Sequence, residues 1–156
     1  MLVLKYLPNG NILAAPSEPG DFKWIFRLRW EVLRKEWGQP EGTERDSDEY
    51  SSIHRAILKV ENEEAVLACG RIQKVGENLA QIRYMAVDEA CRGQGLGTEV
   101  LKSLEAAAAE MKIKEVFLNA REPALNFYLQ SGYRLEEEIS PYLGIRHFRM
   151  IKLLFQ

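Results

Sequence analysis

Along the 156 residues, apolar and polar positions change period several times, and each change marks an element. An apolar opening segment, 1–7, predicts a strand, and Pro8-Asn9-Gly10-Asn11 a turn. After a loop at 16–20, Asp21 stands as an N-cap before a helix over 22–35, where Phe22, Ile25, Phe26, Leu28, Arg29, Val32 and Leu33 recur at near-helical spacing. Gly38-Gln39-Pro40-Glu41-Gly42 stops that helix, and a polar, acidic stretch over 43–52 follows. Strand signals at 54–61 and 65–74, joined by Asn62-Glu63-Glu64, predict a hairpin. After the turn Gly76-Glu77-Asn78, a third strand over 79–87 alternates, with Ile82, Tyr84 and Ala86 on one face and Arg83, Met85 and Val87 on the other.

The period then lengthens. Leu96, Val100, Leu101, Leu104, Ala107, Ala108 and Met111 form one stripe of a helix over 95–111. A short buried strand over 115–120 follows, then a helix over 123–131 closed by Gly132. A last strand pair, 134–139 and 147–154, surrounds a connection at 140–144. Strand, glycine loop, helix, strand describes a parallel βαβ crossover inside an otherwise antiparallel sheet, a mixed α/β class. No internal repeat interrupts the pattern, and the length suits one domain over 1–156.

Composition narrows the function. A net charge of −2 argues against a general nucleic-acid binder, whose phosphate contacts need an excess of Lys and Arg. Two cysteines outside any C-x-x-C pair and two histidines give no metal-ligand pattern, so no metal is expected. Cys69 reads as a buried apolar residue on a strand, and Cys91, beside the glycine loop, as either a bystander or a reactive thiol. No stretch approaches the roughly 20 apolar residues of a membrane helix, and no signal segment opens the chain, so a cytoplasmic protein without membrane contact is expected.

The candidate chemistry lies in Cys91-Arg92-Gly93-Gln94-Gly95-Leu96-Gly97-Thr98. Three glycines in five positions let the backbone turn sharply and approach a ligand closely. The loop feeds a helix N-terminus, where unpaired N–H groups and the positive dipole end favour an anion such as a phosphate or pyrophosphate. Arg92 adds a full charge, and Thr98 a hydroxyl donor. A dinucleotide fingerprint would need glycine where Thr98 stands, and no acidic residue ends a following strand to hold a ribose. No Lys follows the glycines, which excludes a P-loop.

Arg92-x-x-Gly95-x-Gly97 resembles the acyl-coenzyme-A motif of the GNAT superfamily. Tyr84-Met85-Ala86-Val87-Asp88 is similar to that family's central strand, and Asn126-Phe127-Tyr128-x-x-x-Gly132-Tyr133 to its second motif. The strong part of the match spans residues 79–134. The helix at 22–35 and Gly144-Ile145-Arg146-His147 further resemble a bacterial ElaA-like subgroup.

The resemblance implies a GNAT fold: a central, mostly antiparallel twisted sheet, a parallel crossover splayed at the cofactor site, and helices on both faces. It implies an N-acetyltransferase that moves the acetyl group of acetyl-CoA, a co-substrate, to a primary amine by direct attack. The acceptor would be a small molecule or a peptide, and the protein a monomer or homodimer. Cofactor contacts would come from Met85, Ala86 and Val87, from Arg92, Gly93, Gln94, Gly95, Leu96, Gly97 and Thr98, and from Asn119, Asn126 and Tyr128. Tyr128 would be the proton donor to the departing thiolate.

Many relatives place a Glu early in the central strand as base; here Gln81 stands there, which cannot accept a proton at neutral pH. Candidates for a relayed base are His147, Glu49, Asp48, His54, Glu31 and Glu36, of which His147 has the right ordinary pKa, near 6.5. Gln81 also keeps open a catalytically inactive CoA-binding module of the same fold. The acidic run at 44–49 is either a solvated loop or a rim attracting a cationic amine. Arg29 has no acidic neighbour three or four residues away, so it meets solvent, another element or a substrate carboxylate.

Overall fold

A computed structural model describes residues 1–156 and shows a mixed α/β architecture. The strands are β1 (Leu2–Tyr6), β2 (Asn11–Ala15), β3 (Ile53–Lys59), β4 (Asn62–Gly76), β5 (Leu79–Val87), β6 (Glu115–Arg121), β7 (Arg134–Tyr142) and β8 (Ile145–Leu153). The helices are α1 (Phe22–Leu33), α2 (Leu96–Glu110) and α3 (Leu125–Gln130). The sheet runs β1-β2-β3-β4-β5-β6-β8-β7. Pairs β1–β2, β2–β3, β6–β8 and β7–β8 are antiparallel, whereas β5 and β6 are parallel. A parallel pair needs a long crossover, and α2 supplies it, as the change of period predicted.

The chain divides into two compact units, one of residues 1–71 and 84–104, the other of 72–83 and 105–156. In the first, α1 lays Ile25, Phe26 and Leu28 onto Ile12, Ala14, Ala56, Leu58, Val66, Cys69 and Ala86. Ile25 is fully buried, and a side chain of that kind contributes roughly 1.5–3 kcal/mol on leaving water. Cys69 is part of this core, and burial pushes its thiol up to about 11. Gly70 is required by close approach: a Cβ there would meet the side chains of Met85, Val100 and Leu104. In the second unit, Val116 and Leu118 of β6 and Met150 of β8 are buried, with Leu118 directly opposite Met150.

Several boundaries differ from the sequence pattern; the hairpin turns at 60–61, so that Asn62, Glu63 and Glu64, expected as the connection, open β4 instead. Residues 11–15 form β2, which the pattern left unassigned, because Asn11–Ala14 are all buried and show no alternation to read. Helix α1 ends at Leu33, because Arg34 leaves helical geometry and its guanidinium bonds the Thr43 and Leu33 carbonyls at 3.1 Å each. Strand β7 runs on to Tyr142, because Leu143 (φ +55°) and Gly144 (φ +74°) turn the chain within two residues and leave Tyr142 opposite Ile145. Asp21 precedes α1 but does not cap it: its carboxylate accepts the Ser17 and Glu18 amides at 2.9 and 3.0 Å, closing the turn before the helix.

Candidate active site

The glycine loop lies where β5 hands over to α2. Asp88 opens a short 3₁₀ turn, its carboxylate accepting the Ala90 amide at 3.0 Å. The turn's backbone bonds end at Arg92, whose amide reaches the Glu89 carbonyl at 3.5 Å. Those of the helix begin at Glu99, whose amide bonds the Gly95 carbonyl at 3.1 Å. Between them Gly93 and Gly95 take φ of +80° and +79°, which L side chains rarely adopt. A Cβ on either glycine would meet nothing within 4 Å, so open space lies over the loop. Amides at the start of α2 lack intrahelical acceptors and carry the positive end of its dipole. Gly93, Gln94 and Gly95 are exposed, as is Arg92, while Leu96 and Gly97 are buried and anchor the helix start. These residues fit a diphosphate: exposed amide donors, a cation and no side chain filling the space.

Upstream, β5 pairs with β6 from Leu79↔Glu115 to Ile82↔Leu118. Two residues later Tyr84 takes φ +57°, a left-handed backbone that a bulky residue rarely holds. Met85, Ala86 and Val87 follow this break, and the Asp88 amide then bonds the Leu67 carbonyl at 2.8 Å.

Beneath Tyr84 the first unit buries an ion network. Arg29 of α1 and Arg71 of β4 are both fully buried. Arg29 Nη1 donates to Glu49 Oε2 at 2.9 Å, and Nη2 to His54 Nδ1 at 3.3 Å. Arg71 holds Asp46 through two bonds of 2.8 and 3.1 Å, and its Nη1 stands 3.0 Å from Glu49 Oε1. Burial alone would raise the Glu49 pKa, but the charge of Arg29, the Asp46 amide and the two guanidiniums outweigh it and hold the carboxyl below its ordinary value. For Arg71, burial opposes the charge, but Asp46 and Glu49 outweigh it and keep the guanidinium firmly protonated.

An arginine can only donate, so His54 Nδ1 is an acceptor and its proton sits on Nε2. Nε2 then donates to the Glu49 carbonyl at 2.6 Å. Burial, aided by the charge of Arg29, lowers the His54 pKa to about 4 against the pull of Glu49. Neither His54 nor Glu49 therefore offers a free basic atom at neutral pH. The acidic run is largely committed as well: Glu44 accepts the Gly42 amide at 2.6 Å, and Asp46 holds Arg71. Arg29 meets Glu49 on another element, so it is not a receptor for a substrate carboxylate.

Asn119, Asn126, Tyr128 and His147 lie in the second unit. Asn119 is exposed on β6, opposite Arg149, and Asn126 is exposed in the first turn of α3. Tyr128 is buried on α3, its ring 4.9 Å from Phe127 and 5.8 Å from Tyr133. Burial holds its phenol well above the usual tyrosine range, so the proton stays on Oη at neutral pH. Tyr133 donates to Glu105 Oε2 at 2.7 Å. Lys152 bridges Glu105 Oε1 at 3.0 Å and the Ser131 carbonyl at 2.8 Å, tying down the end of α3. His147 faces Arg121 of β6 and Ile139 of β7. Its Nδ1 donates to the Ile145 carbonyl at 2.8 Å, which leaves the lone pair on Nε2. Glu31 pairs with Arg27 at 3.0 Å on the exposed side of α1, and Asp48 and Glu36 are exposed.

The Arg29–Glu49–Arg71 network and the break at Tyr84 escaped the sequence reading. One signal was present: Arg29 falls on the apolar stripe of its helix, and Arg71 inside the apolar run Leu67-Ala68-Cys69-Gly70-Arg71-Ile72. A charge in such a place asks for a buried partner.

The model of the acetyltransferase (GNAT) family matches residues 22–133. The uncharacterized N-acetyltransferase YjcF of Bacillus subtilis is 33% identical over 131 residues, 83% of this chain and 91% of YjcF. Escherichia coli ElaA superposes with a TM-score of 0.72 at 27% identity, covering 87% of this chain and 92% of ElaA. An aminoglycoside 6'-N-acetyltransferase in complex with coenzyme A shares the fold, with a TM-score of 0.77 at 13% identity over 93% of this chain and 98% of its own. The glycine loop, the parallel β5–α2–β6 crossover and these matches agree: the chain belongs to the GNAT family of acetyltransferases.

Proposed function

We propose that this N-acetyltransferase takes the acetyl group from acetyl-CoA and delivers it to a primary amine of a small molecule or a peptide. The observation that carries the reading is the open glycine loop, with left-handed Gly93 and Gly95 and exposed amides running into α2. Amides from Gly93 to Thr98 hold the diphosphate, with Arg92 as the countercharge. Backbone groups of Met85, Ala86 and Val87 hold the pantetheine amides, and Asn119 and Asn126 contact the same arm. Bound there, the thioester supplies an activated acyl group.

Two protons must then move. An alkyl amine with a pKa near 10.4 is only about one part in a few thousand neutral at pH 7, so the acceptor needs a base. His147 Nε2 carries the lone pair for that role, either directly or through water, because Nδ1 is committed to the Ile145 carbonyl. Tyr128 Oη keeps its proton at neutral pH and gives it to the departing thiolate. A hydroxyl donor at Tyr128 and a lone pair at His147 Nε2 support catalysis over a module that only binds CoA.

Calorimetry of acetyl-CoA and of NAD, with thiol release measured across a panel of primary amines, tests the assignment. Acetyl-CoA binding, no NAD binding and amine-dependent thiol release are expected. Tight NAD binding without acetyl-CoA binding overturns the cofactor. Acetyl-CoA binding with no thiol release for any amine class overturns the reaction.

A further inference from the structure

A left-handed backbone at an aromatic residue is costly, and it persists only where surrounding groups hold it. At Tyr84 those groups are identifiable. The guanidinium carbon of Arg29 lies 4.4 Å from the centre of the Tyr84 ring and that of Arg71 lies 5.0 Å from it. Two cations on one ring attract its π-electrons, strongly so where water is excluded. Both cations are themselves fixed, Arg29 by Glu49 and His54, and Arg71 by the bidentate Asp46 and by Glu49. The Cys69 thiol lies 3.8 Å from the Tyr84 carbonyl and directs that peptide from below. Arg29 comes from α1, Arg71 from β4 and Glu49 from the turn before β3, so three elements converge on one residue of β5.

The position of the break gives it a consequence. A left-handed residue turns the peptide planes that follow it, and those planes belong to Met85, Ala86 and Val87. We infer that Arg29 and Arg71 are positioning residues: clamped on the Tyr84 ring, they hold the left-handed backbone and so aim the peptide groups of Met85–Val87 at the acyl carrier. This rests on the acetyl-CoA reading above. Without the clamp, β5 relaxes toward ordinary strand geometry, and only a fraction of molecules presents the binding arrangement. Apparent affinity falls by that fraction.

Three substitutions separate this role from simple support of the fold. Tyr84→Leu keeps apolar bulk but removes the aromatic face and still resists positive φ. Tyr84→Gly removes the ring too, yet tolerates φ +57° without strain. Arg71→Lys keeps the charge but loses the planar stack and the bidentate bond. Acetyl-CoA affinity is measured by calorimetry on variants shown to be folded by circular dichroism, with wild type as control. Tyr84→Leu and Arg71→Lys are expected to weaken binding roughly tenfold, the ratio a left-handed penalty sets. Tyr84→Gly is expected to weaken it only about twofold, although it removes more of the side chain, and Arg71→Lys in the Tyr84→Gly background adds almost nothing.

A merely structural role gives the reverse ranking, with glycine worst, and that result overturns the inference. So does wild-type affinity in both Tyr84→Leu and Arg71→Lys. If Arg71→Lys does not fold, the leucine–glycine pair decides alone. Failure of wild type to bind acetyl-CoA removes the functional reading itself, and the clamp falls with it.

Discussion

His54 gives the fold a pH dependence that can be worked out. In the unfolded chain its imidazole titrates near 6.5, but in the folded chain near 4. Between those values the unfolded state binds more protons, so stability is full above about pH 6.5 and is lost as the pH falls toward 4. One unit of pKa shift corresponds to 1.36 kcal/mol, so the whole interval is worth about 3 kcal/mol and roughly 2 kcal/mol is gone by pH 5. The cause is structural: an added proton on Nδ1 would destroy the bond from Arg29 and place a third cation beside two buried guanidiniums. Glu49, held below its ordinary value of 4.5, adds its own loss only at lower pH. The assay is urea unfolding of wild type and His54→Gln at pH 7 and pH 5. Gln is neutral throughout and can still accept from Arg29. Wild type is expected to lose about 2 kcal/mol more than the variant over this interval. Parallel losses in the two proteins would refute the argument that His54 is buried neutral.

Tyr128→Phe should lower kcat by roughly 10²-fold with acetyl-CoA affinity nearly intact, since the proton is needed only in the transition state; unchanged turnover where chemistry limits the rate refutes the donor. His147→Gln should lower kcat with acetyl-CoA affinity nearly intact, and unchanged turnover where chemistry limits the rate rules His147 out as base. Gly95→Val should abolish acetyl-CoA binding by calorimetry, because φ +79° excludes a β-branched residue and its side chain would fill the open space over the loop. Glu49→Gln leaves two buried guanidiniums with one carboxylate fewer and should cost about 3 kcal/mol in urea unfolding; a loss under about 1 kcal/mol contradicts the network.

The glycine loop was legible because its chemistry is local. Glycine spacing, the helix start and the flanking strand lie within a few residues, and the backbone conformations at Gly93 and Gly95 follow from them. The parallel crossover was legible for the same reason, since the hydrophobic period changes from two to 3.6 and back within one stretch. Boundaries were less so: Asn11–Ala14 of β2 are all buried and show no alternation, and the last hairpin turns at Leu143-Gly144 with Leu in a left-handed conformation that its side chain does not announce.

What the chain order alone determined is therefore the scaffold, the family resemblance and the glycine loop at the start of α2. Tertiary structure decided the fate of the charges. Arg29, Asp46, Glu49, His54 and Arg71 span forty-three residues of sequence and become partners only when α1, the acidic turn, β3 and β4 pack together. Read singly, Glu49 and His54 were candidate bases and Arg29 a candidate receptor. Packed, they neutralise one another, because in a medium of low dielectric a charge is stable only beside its opposite. Tyr84 follows the same rule: nothing in its own sequence calls for a left-handed backbone, and the two guanidiniums over its ring exist as a pair only in the folded protein.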